Sequence, residues 1–387
     1  MWRYRNTVLL LCMLAFFATM ASRLAISPVV PLIIEDFSVS NAQIGLALTG
    51  MWVAYALSQF PSGIITDRVG EKRVILVAVG GSGLASLVLA FSPMFALFAL
   101  VAFLIGLMAG LHYTPATVLL TKLFDNVGTA IGVHTLGGPL AGLLTPIAVV
   151  WVGLQFGWRP AVGLIVLVAT PVFILFLLRV RPEPPAKPDD PLGANIDLTV
   201  IRELITHPTI AFTIVIMIVG TFVWQGLASF LPTFIIQYHG LSATTAGIAF
   251  SAYFVILGTS NVVVGILADR YGRDPTINLC MVAGIIGFIG LVTGTGLVTI
   301  AAGVVLVGIG ASSYPAMLAR LMDTLPTSDP GTGLGLVRTI VGVIGALGPV
   351  MVGLLADLFS WRISFLVLGS MFAIVFMMIT VNKVLRT

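Results

Sequence analysis

Acidic residues are scarce in this chain, and where they are missing matters more than how few they are. Asp and Glu number 15 among 387 residues, against 19 Lys and Arg, so only 9% of the sequence is charged, where a soluble domain carries about a quarter. None of the 15 sits inside a long apolar run; Glu35, Asp36 and Asp357 mark run ends on one side, and the rest lie between runs or at their other ends. Cysteine is nearly absent too. Cys12 and Cys280 both fall within apolar runs, which excludes a disulfide framework and a thiolate metal site. Also missing are a phosphate-binding glycine loop, paired catalytic carboxylates, a Ser/His/Asp grouping and metal-spaced ligands, so neither enzyme activity, a cofactor nor ATP-driven pumping is expected. The pI near 9.3 does not point to nucleic acid, because the basic residues are spread between apolar runs rather than gathered in a patch.

What the chain has in abundance is apolar surface: 58% of residues are hydrophobic and mean hydropathy is +1.11. Apolar stretches fall at 7–34, 42–66, 74–92, 95–121, 129–152, 158–180, 209–236, 243–268, 276–296, 298–322, 332–356 and 361–384, each long enough to cross a bilayer core of about 30 Å. The expectation is an all-α, multi-pass protein of an inner or plasma membrane, with the lipid bilayer as its partner. Arg3 and Arg5 ahead of the first run imitate a secretory signal, but that run continues past Arg23 and is too long for a signal core. Between the sixth and seventh runs, prolines and charges over 181–206 forbid a spanning helix, so a six-helix bundle over 1–180, a linker over 181–206 and a second bundle over 207–387 are expected. With the N-terminus inside, cytoplasmic segments and helix ends collect fifteen Lys and Arg while outer loops hold only Arg159 and Arg362. Both termini and the linker are therefore expected in the cytoplasm.

The chain also repeats itself. Gly63-Ile-Ile-Thr-Asp67-Arg68-Val-Gly70-Glu-Lys72-Arg73 returns as Gly265-Ile-Leu-Ala-Asp269-Arg270-Tyr-Gly272-Arg273, 202 positions on; Gly128-Thr-Ala-Ile-Gly132, Pro146 and Gly157-Trp158-Arg159 return as Gly331-Thr-Gly-Leu-Gly335, Pro349 and Ser360-Trp361-Arg362, 203 positions on. Parallel repeats of this kind are expected of a carrier whose site lies near the bilayer midplane. The run after the second span, and its copy after the eighth, resemble the signature loop of the major facilitator superfamily. That resemblance covers the whole chain and implies twelve helices in two related halves. It also implies a gating role for Gly63, Asp67, Arg68, Gly70 and Arg73, with Asp67 held at the positive start of the eleventh helix near Gly331, and a weaker copy at Asp269 and Arg270, where Asp274-Pro275 departs from the pattern. The plainer reading is that these loops only fix topology, through Arg68, Lys72 and Arg73 at anionic headgroups.

Charges within spans are the other candidates, since an arginine inside the hydrocarbon is costly. Arg23, about 16 residues into the first span, is too deep to reach water easily. The segment Arg23-Leu-Ala-Ile-Ser27-Pro28-Val-Val-Pro31 resembles the first helix of the anion:cation symporters, the organophosphate:phosphate antiporters and the cyanate-type carriers, where an arginine at this place implies a hold on the substrate's anionic group. The alternative is an arginine tied to backbone carbonyls. Arg338 lies two turns into the eleventh span and faces either a cavity or the rim. His112 and His134 could carry a proton; His134, nearer a helix end, reads more as a packing residue. Trp224, Gln225, Tyr253 and Asn261, with the repeat partners Tyr113 and Tyr314, are polar or aromatic side chains in mid-span that need a partner or a cavity. Cations without an embedded acid should attract an anion. The expected function is secondary active transport of a small anion, an organic carboxylate or phosphate ester, by alternating access, with a coupling proton or cation allowed. Efflux of hydrophobic drugs or lipids is the alternative, favoured by Gly138-Pro139-Leu-Ala-Gly142, which partly resembles a drug-antiporter motif. A membrane receptor that transports nothing is the alternative of another class.

Overall fold

In the computed structural model, residues 4–186, 188, 206–324 and 330–386 are described, and their regular structure is helical throughout, with no strand among them. The spans are α1 (Tyr4–Phe37), α3 (Glu71–Ala90), α4 (Phe95–Leu123), α5 (Val127–Phe156), α6 (Trp158–Arg179), α7 (Pro208–His239), α8 (Ala243–Tyr271), α9 (Arg273–Thr293) and α10 (Leu297–Met322). To these are added α11 (Pro330–Gly345, resuming at Gly348–Leu358) and α12 (Trp361–Arg386). Among the described residues, eleven spans are both long and apolar enough to cross a membrane. The twelfth expected one, α2 (Asn41–Val69), has 29 residues, about 44 Å at 1.5 Å per residue, which suffices by length. The expected linker falls mostly outside the described residues.

The chain divides into two compact units, one of Met1–Val39 with Ala47–Ile196, the other of Ser40–Leu46 with Asp197–Thr387. The α2 helix thus begins in the second unit and continues in the first. In the first unit, α1 buries Val8, Leu11, Cys12, Ala15 and Ala18, a three-to-four spacing that makes one helical face. That face packs on Ile75 and Val79 of α3, Ala116, Leu119 and Leu120 of α4, and Ala169, Val172 and Phe176 of α6. Large apolar side chains such as Leu84, Trp151, Leu178, Ile266 and Val298 point outward, as lipid-facing surfaces require.

Local chemistry repeats with the sequence. Gly70 and Gly272, at φ +87° and +94°, start α3 and α9 from a backbone region that favours glycine. The buried Glu71 of α3 pairs with Lys122 of α4 at 2.5 Å, and their repeat counterparts Arg273 and Asp323 pair at 3.2 Å with the two charges exchanged. Trp158 donates its indole N–H to Asp36 at 3.3 Å, and Trp361 donates to Gln237 at 2.9 Å. The start of α2 is a capping box, with Ser40 N–H donating to Gln43 Oε1 and Gln43 N–H to Ser40 Oγ. Two donors that the box leaves over, the N–H groups of Asn41 and Ala42, go to the Asp357 carboxylate at 3.2 and 2.7 Å.

One element breaks the symmetry. α1, expected as one uninterrupted helix, stops at Leu24 and resumes through a 3-10 turn at Ser27–Val29. Pro28 explains it: the residue has no N–H to donate and its ring opposes the carbonyl of Leu24. α7 runs unbroken for 32 residues, with Pro232 inside it.

Candidate functional site

The break in α1 leaves Arg23 in the last turn before it, and the side chain is 2% exposed. Its Nε donates to the Thr19 carbonyl at 3.3 Å and Nη2 to the Met20 sulfur at 3.4 Å, both on its own helix. The guanidinium lies 3.9 Å from the ring centre of Tyr55 and 5.1 Å from that of Trp52, both on α2. No carboxylate pairs with it among the described residues. An arginine offers five N–H donors in a planar fork, so aromatic faces carry this cation while donors remain for an acceptor. Trp52 and Tyr55 were not singled out from the sequence; their spacing of three, one helical turn, on the span that follows Arg23's was the available signal.

A second cluster lies in the same unit. His112 sits where α4 changes course, at the turn between Phe95–Gly110 and Tyr113–Leu123, and His134 in the first segment of α5. Both are 0% exposed and their ring centres are 5.4 Å apart. Phe16 of α1 stacks on His112 at 5.9 Å and leans on His134 at 5.2 Å, and Tyr113 meets His134 at 5.8 Å. All four imidazole nitrogens lack a hydrogen-bond partner, although both rings approach the main chain at Cys12. Gly137 makes this possible. A Cβ there would lie 2.3 Å from the Met13 carbonyl oxygen, so only glycine lets α5 come close enough to α1 to lay His134 on Phe16. The sequence reading treats His134 as packing and separate from His112; the structure brings the two together.

In the second unit, Gln225 of α7 is 3% exposed with an unpartnered Oε1, and Tyr253 of α8 is 0% exposed with an unpartnered hydroxyl. Ser251 Oγ and Asn261 Oδ1, also on α8, lack partners as well. Buried polar atoms of this kind are few in native proteins and mark places where water, an ion or a ligand completes the bonding. Trp224 and Tyr314 are half-buried on α7 and at the second segment of α10, and Arg338 is half-buried on α11, each engaged in further contacts.

Of the expected gating residues, Gly63 and Asp67 are half-buried near the end of α2, Gly70 is buried at the turn, and Arg68 and Arg73 are exposed. The surroundings of Gly331, the expected partner of Asp67, lie outside the described residues. In the second copy Asp269 is exposed and ion-paired with Arg273, which also holds Asp323 at 3.2 Å, while Arg270 rests on Tyr271. No cluster of three metal-ligating side chains occurs among the described residues. A groove of about 610 Å³ between α3 and α6, with Gly80, Gly83, Ala169 and Phe173 in its wall, bears no charge and is separate from both clusters.

The family profile described as Major Facilitator Superfamily matches residues 12–243 and again 213–385. The chain is similar to a hexuronate transporter of Bacillus subtilis, 24% identical with 90% of this chain and 87% of that protein aligned. It is also similar to a probable nitrate transporter, NarT, of Staphylococcus epidermidis, 24% identical over 84% and 83%. A bacterial homologue of the human lysosomal transporter Spinster, solved inward-facing and unoccupied, shares the fold at a TM-score of 0.82 and 19% identity, covering 98% of this chain and 97% of that one.

Proposed function

The chain belongs to the major facilitator superfamily, and from that premise we propose that it carries a small organic or inorganic anion across the membrane, with Arg23 binding the anionic group. The observation that carries this reading is a deeply buried guanidinium held on aromatic faces and by its own helix rather than by a carboxylate. Burying such a cation is expensive unless something compensates it, and an anionic substrate compensates it only while bound. The names of the hexuronate and nitrate transporters support an anion and differ in its type. His112, Gln225 and Tyr253 are buried groups with hydrogen-bonding capacity to spare for such a substrate, and Trp224, Tyr314 and Arg338 complete the set.

Alternating access is the mode of action, with the six-helix repeats as the moving parts, the N-terminus cytoplasmic, and Asp67 with its loop and the Asp269–Arg270 copy as gate contacts. A coupling proton or cation belongs to the same reading. The test is counterflow in proteoliposomes with labelled glucuronate, nitrate and glycerol 3-phosphate. Arg23→Ala should lower uptake of the transported anion at least about 30-fold while the protein stays folded, since removing one member of a buried charge pair costs roughly 2–5 kcal/mol. Arg23→Lys should recover part of it. Full activity of the alanine variant overturns the assignment.

A further inference from the structure

The transport reading leaves unused the apolar groove of about 610 Å³ between α3 and α6. Its floor is made of small residues. A Cβ on Gly83 would lie 2.5 Å from the Cβ of Ala169, and one on Gly80 would lie 2.9 Å from the Phe173 ring, so the two helices meet too closely for side chains to fill the space. Val77 and Leu84 of α3, 53% and 61% exposed, and the exposed Thr170 of α6 line its open side. On a spanning segment such surfaces face hydrocarbon, so the groove is filled from within the membrane. We propose that its occupant is an anionic phospholipid, with one acyl chain lying in the groove and the phosphate held by Lys72 and Arg73. The inference does not depend on which substrate the carrier moves.

The direction of the groove is the first support. Its wall runs from Leu76 to Leu84 on α3 and from Val166 to Phe173 on α6, about 10–12 Å along each helix at 1.5 Å per residue. It therefore lies lengthwise with the spans, as lipid chains do. The second support is charge at one end only. Arg73, Val77, Gly80 and Leu84 follow one another at spacings of four, three and four, which puts the exposed Arg73 on the groove face of α3, one turn beyond the wall. At the same end Lys72 reaches across to α6 and donates to the Leu177 carbonyl at 2.8 Å, one turn past Phe173. An ammonium has three donors, so this bond leaves capacity for a phosphate oxygen. No acid competes there: among the described residues neither Lys72 nor Arg73 has a carboxylate partner, α6 contains no Asp or Glu, and Glu71 is buried and paired with Lys122.

Charge also selects among occupants. An apolar wall does not by itself prefer one lipid to another, because every lipid tail is equally apolar, whereas a pair of cations at headgroup depth favours an anionic headgroup. A second copy of this chain, inserted in the same direction and related by a twofold axis, would bring Lys72 and Arg73 against the same residues of its partner. Like charges brought together in this way oppose the contact.

Native mass spectrometry of the full chain in detergent tests the proposal, with phosphatidylglycerol and phosphatidylcholine of identical acyl chains as probes. Each basic residue favours an anionic headgroup about fivefold, so the first phosphatidylglycerol should bind about 5- to 25-fold more tightly than the first phosphatidylcholine. Arg73→Gln should remove about fivefold of that preference and leave phosphatidylcholine binding unchanged. Thr170→Phe and Val77→Phe place a ring in the groove from exposed positions on its two sides, and each should weaken phosphatidylglycerol binding. Leu178→Phe, on a side chain 71% exposed and outside the groove, should not. Equal binding of the two lipids by the parent overturns the proposal, and so does an undiminished preference in Arg73→Gln. Full phosphatidylglycerol binding in both groove variants overturns it as well, because the lipid then rests on the cations alone. A dimer that is lost in Thr170→Phe assigns the groove to a second copy instead.

Discussion

The two six-helix units share a scaffold and differ at its centre. Helix starts, positive-φ glycines, the Glu71–Lys122 and Arg273–Asp323 pairs, and the tryptophans at the heads of α6 and α12 recur from one repeat to the other. The polar middle does not. Pro31 and Asp36 of α1 correspond to Pro232 and Gln237 of α7, which sets Arg23 opposite Trp224; by the same registers Tyr55 corresponds to Leu257, His112 to Ser313 and His134 to Val337. A fold that is stable with Trp, Leu, Ser and Val at these places does not require Arg, Tyr and two His at their counterparts. Those residues answer to chemistry, and the matching ends of the helices answer to packing.

The largest effect expected from probing this contrast lies on the packing side. Each unit has a crossing in which a glycine meets a carbonyl of the central helix: a Cβ on Gly137 would come within 2.3 Å of Met13 O, and one on Gly348 within 2.3 Å of Phe222 O. In repeat register the second crossing sits eight residues, about two turns, further along the central helix. Gly137→Ala should destabilise the protein by about 2–3 kcal/mol, whereas Gly132→Ala, with nothing within 4 Å, should be neutral or stabilising by up to about 1 kcal/mol. Thermal unfolding in detergent separates the two. Equal responses would mean that α5 can move off α1, and that the His112–His134 contact is not held by this crossing.

A smaller effect is expected from erasing one chemical difference. Tyr55→Leu copies the residue of the second repeat and removes the ring 3.9 Å from the guanidinium. A desolvated cation–aromatic contact contributes about 1–2 kcal/mol, so apparent anion affinity should fall roughly 5- to 30-fold, while Tyr55→Phe keeps the ring and should retain most of it. Leu257→Tyr in the other repeat should change transport little. If Tyr55→Leu binds as well as the parent, Arg23 is oriented by Thr19, Met20 and Trp52 without the Tyr55 ring.

The scaffold was far more legible in the sequence than the site. Hydropathy located the spans because lipid accepts only apolar, internally bonded segments, and the Gly-x-x-x-Asp-Arg-x-Gly runs marked the repeat before any coordinates. Arg23 stood out for the same energetic reason, as a charge where lipid would reject one. What stayed hidden depends on distances between helices. The meeting of His112 and His134 is arranged by Phe16 and by the glycine at 137, which acts through its approach to another span. The aromatic bed of Arg23 is likewise contributed by another span, and no periodicity within α1 could announce it. The interruption of α1 was written in Pro28, yet Pro232 lies inside an unbroken helix, so proline alone does not decide the matter.

The smallest expected effect is the most symmetrical one. Ser38 closes α1 in the left-handed region at φ 53°, and Gly240, one position past the counterpart of Ser38 in that register, closes α7 at φ 66°. The same cap is thus built once with a side chain and once without. A left-handed L-residue costs about 1–2 kcal/mol, and glycine recovers that less about 0.5–1 kcal/mol for the freedom it restores to the unfolded chain. Ser38→Gly should therefore stabilise by about 0.5 kcal/mol and Gly240→Ser destabilise by a similar amount, with transport unchanged in both. Unfolding midpoints that move in opposite directions would show that the two caps are interchangeable parts of one repeat. A loss of stability in Ser38→Gly would mean that the serine side chain has its own task at the end of α1, and that the likeness of the two units stops short of their caps.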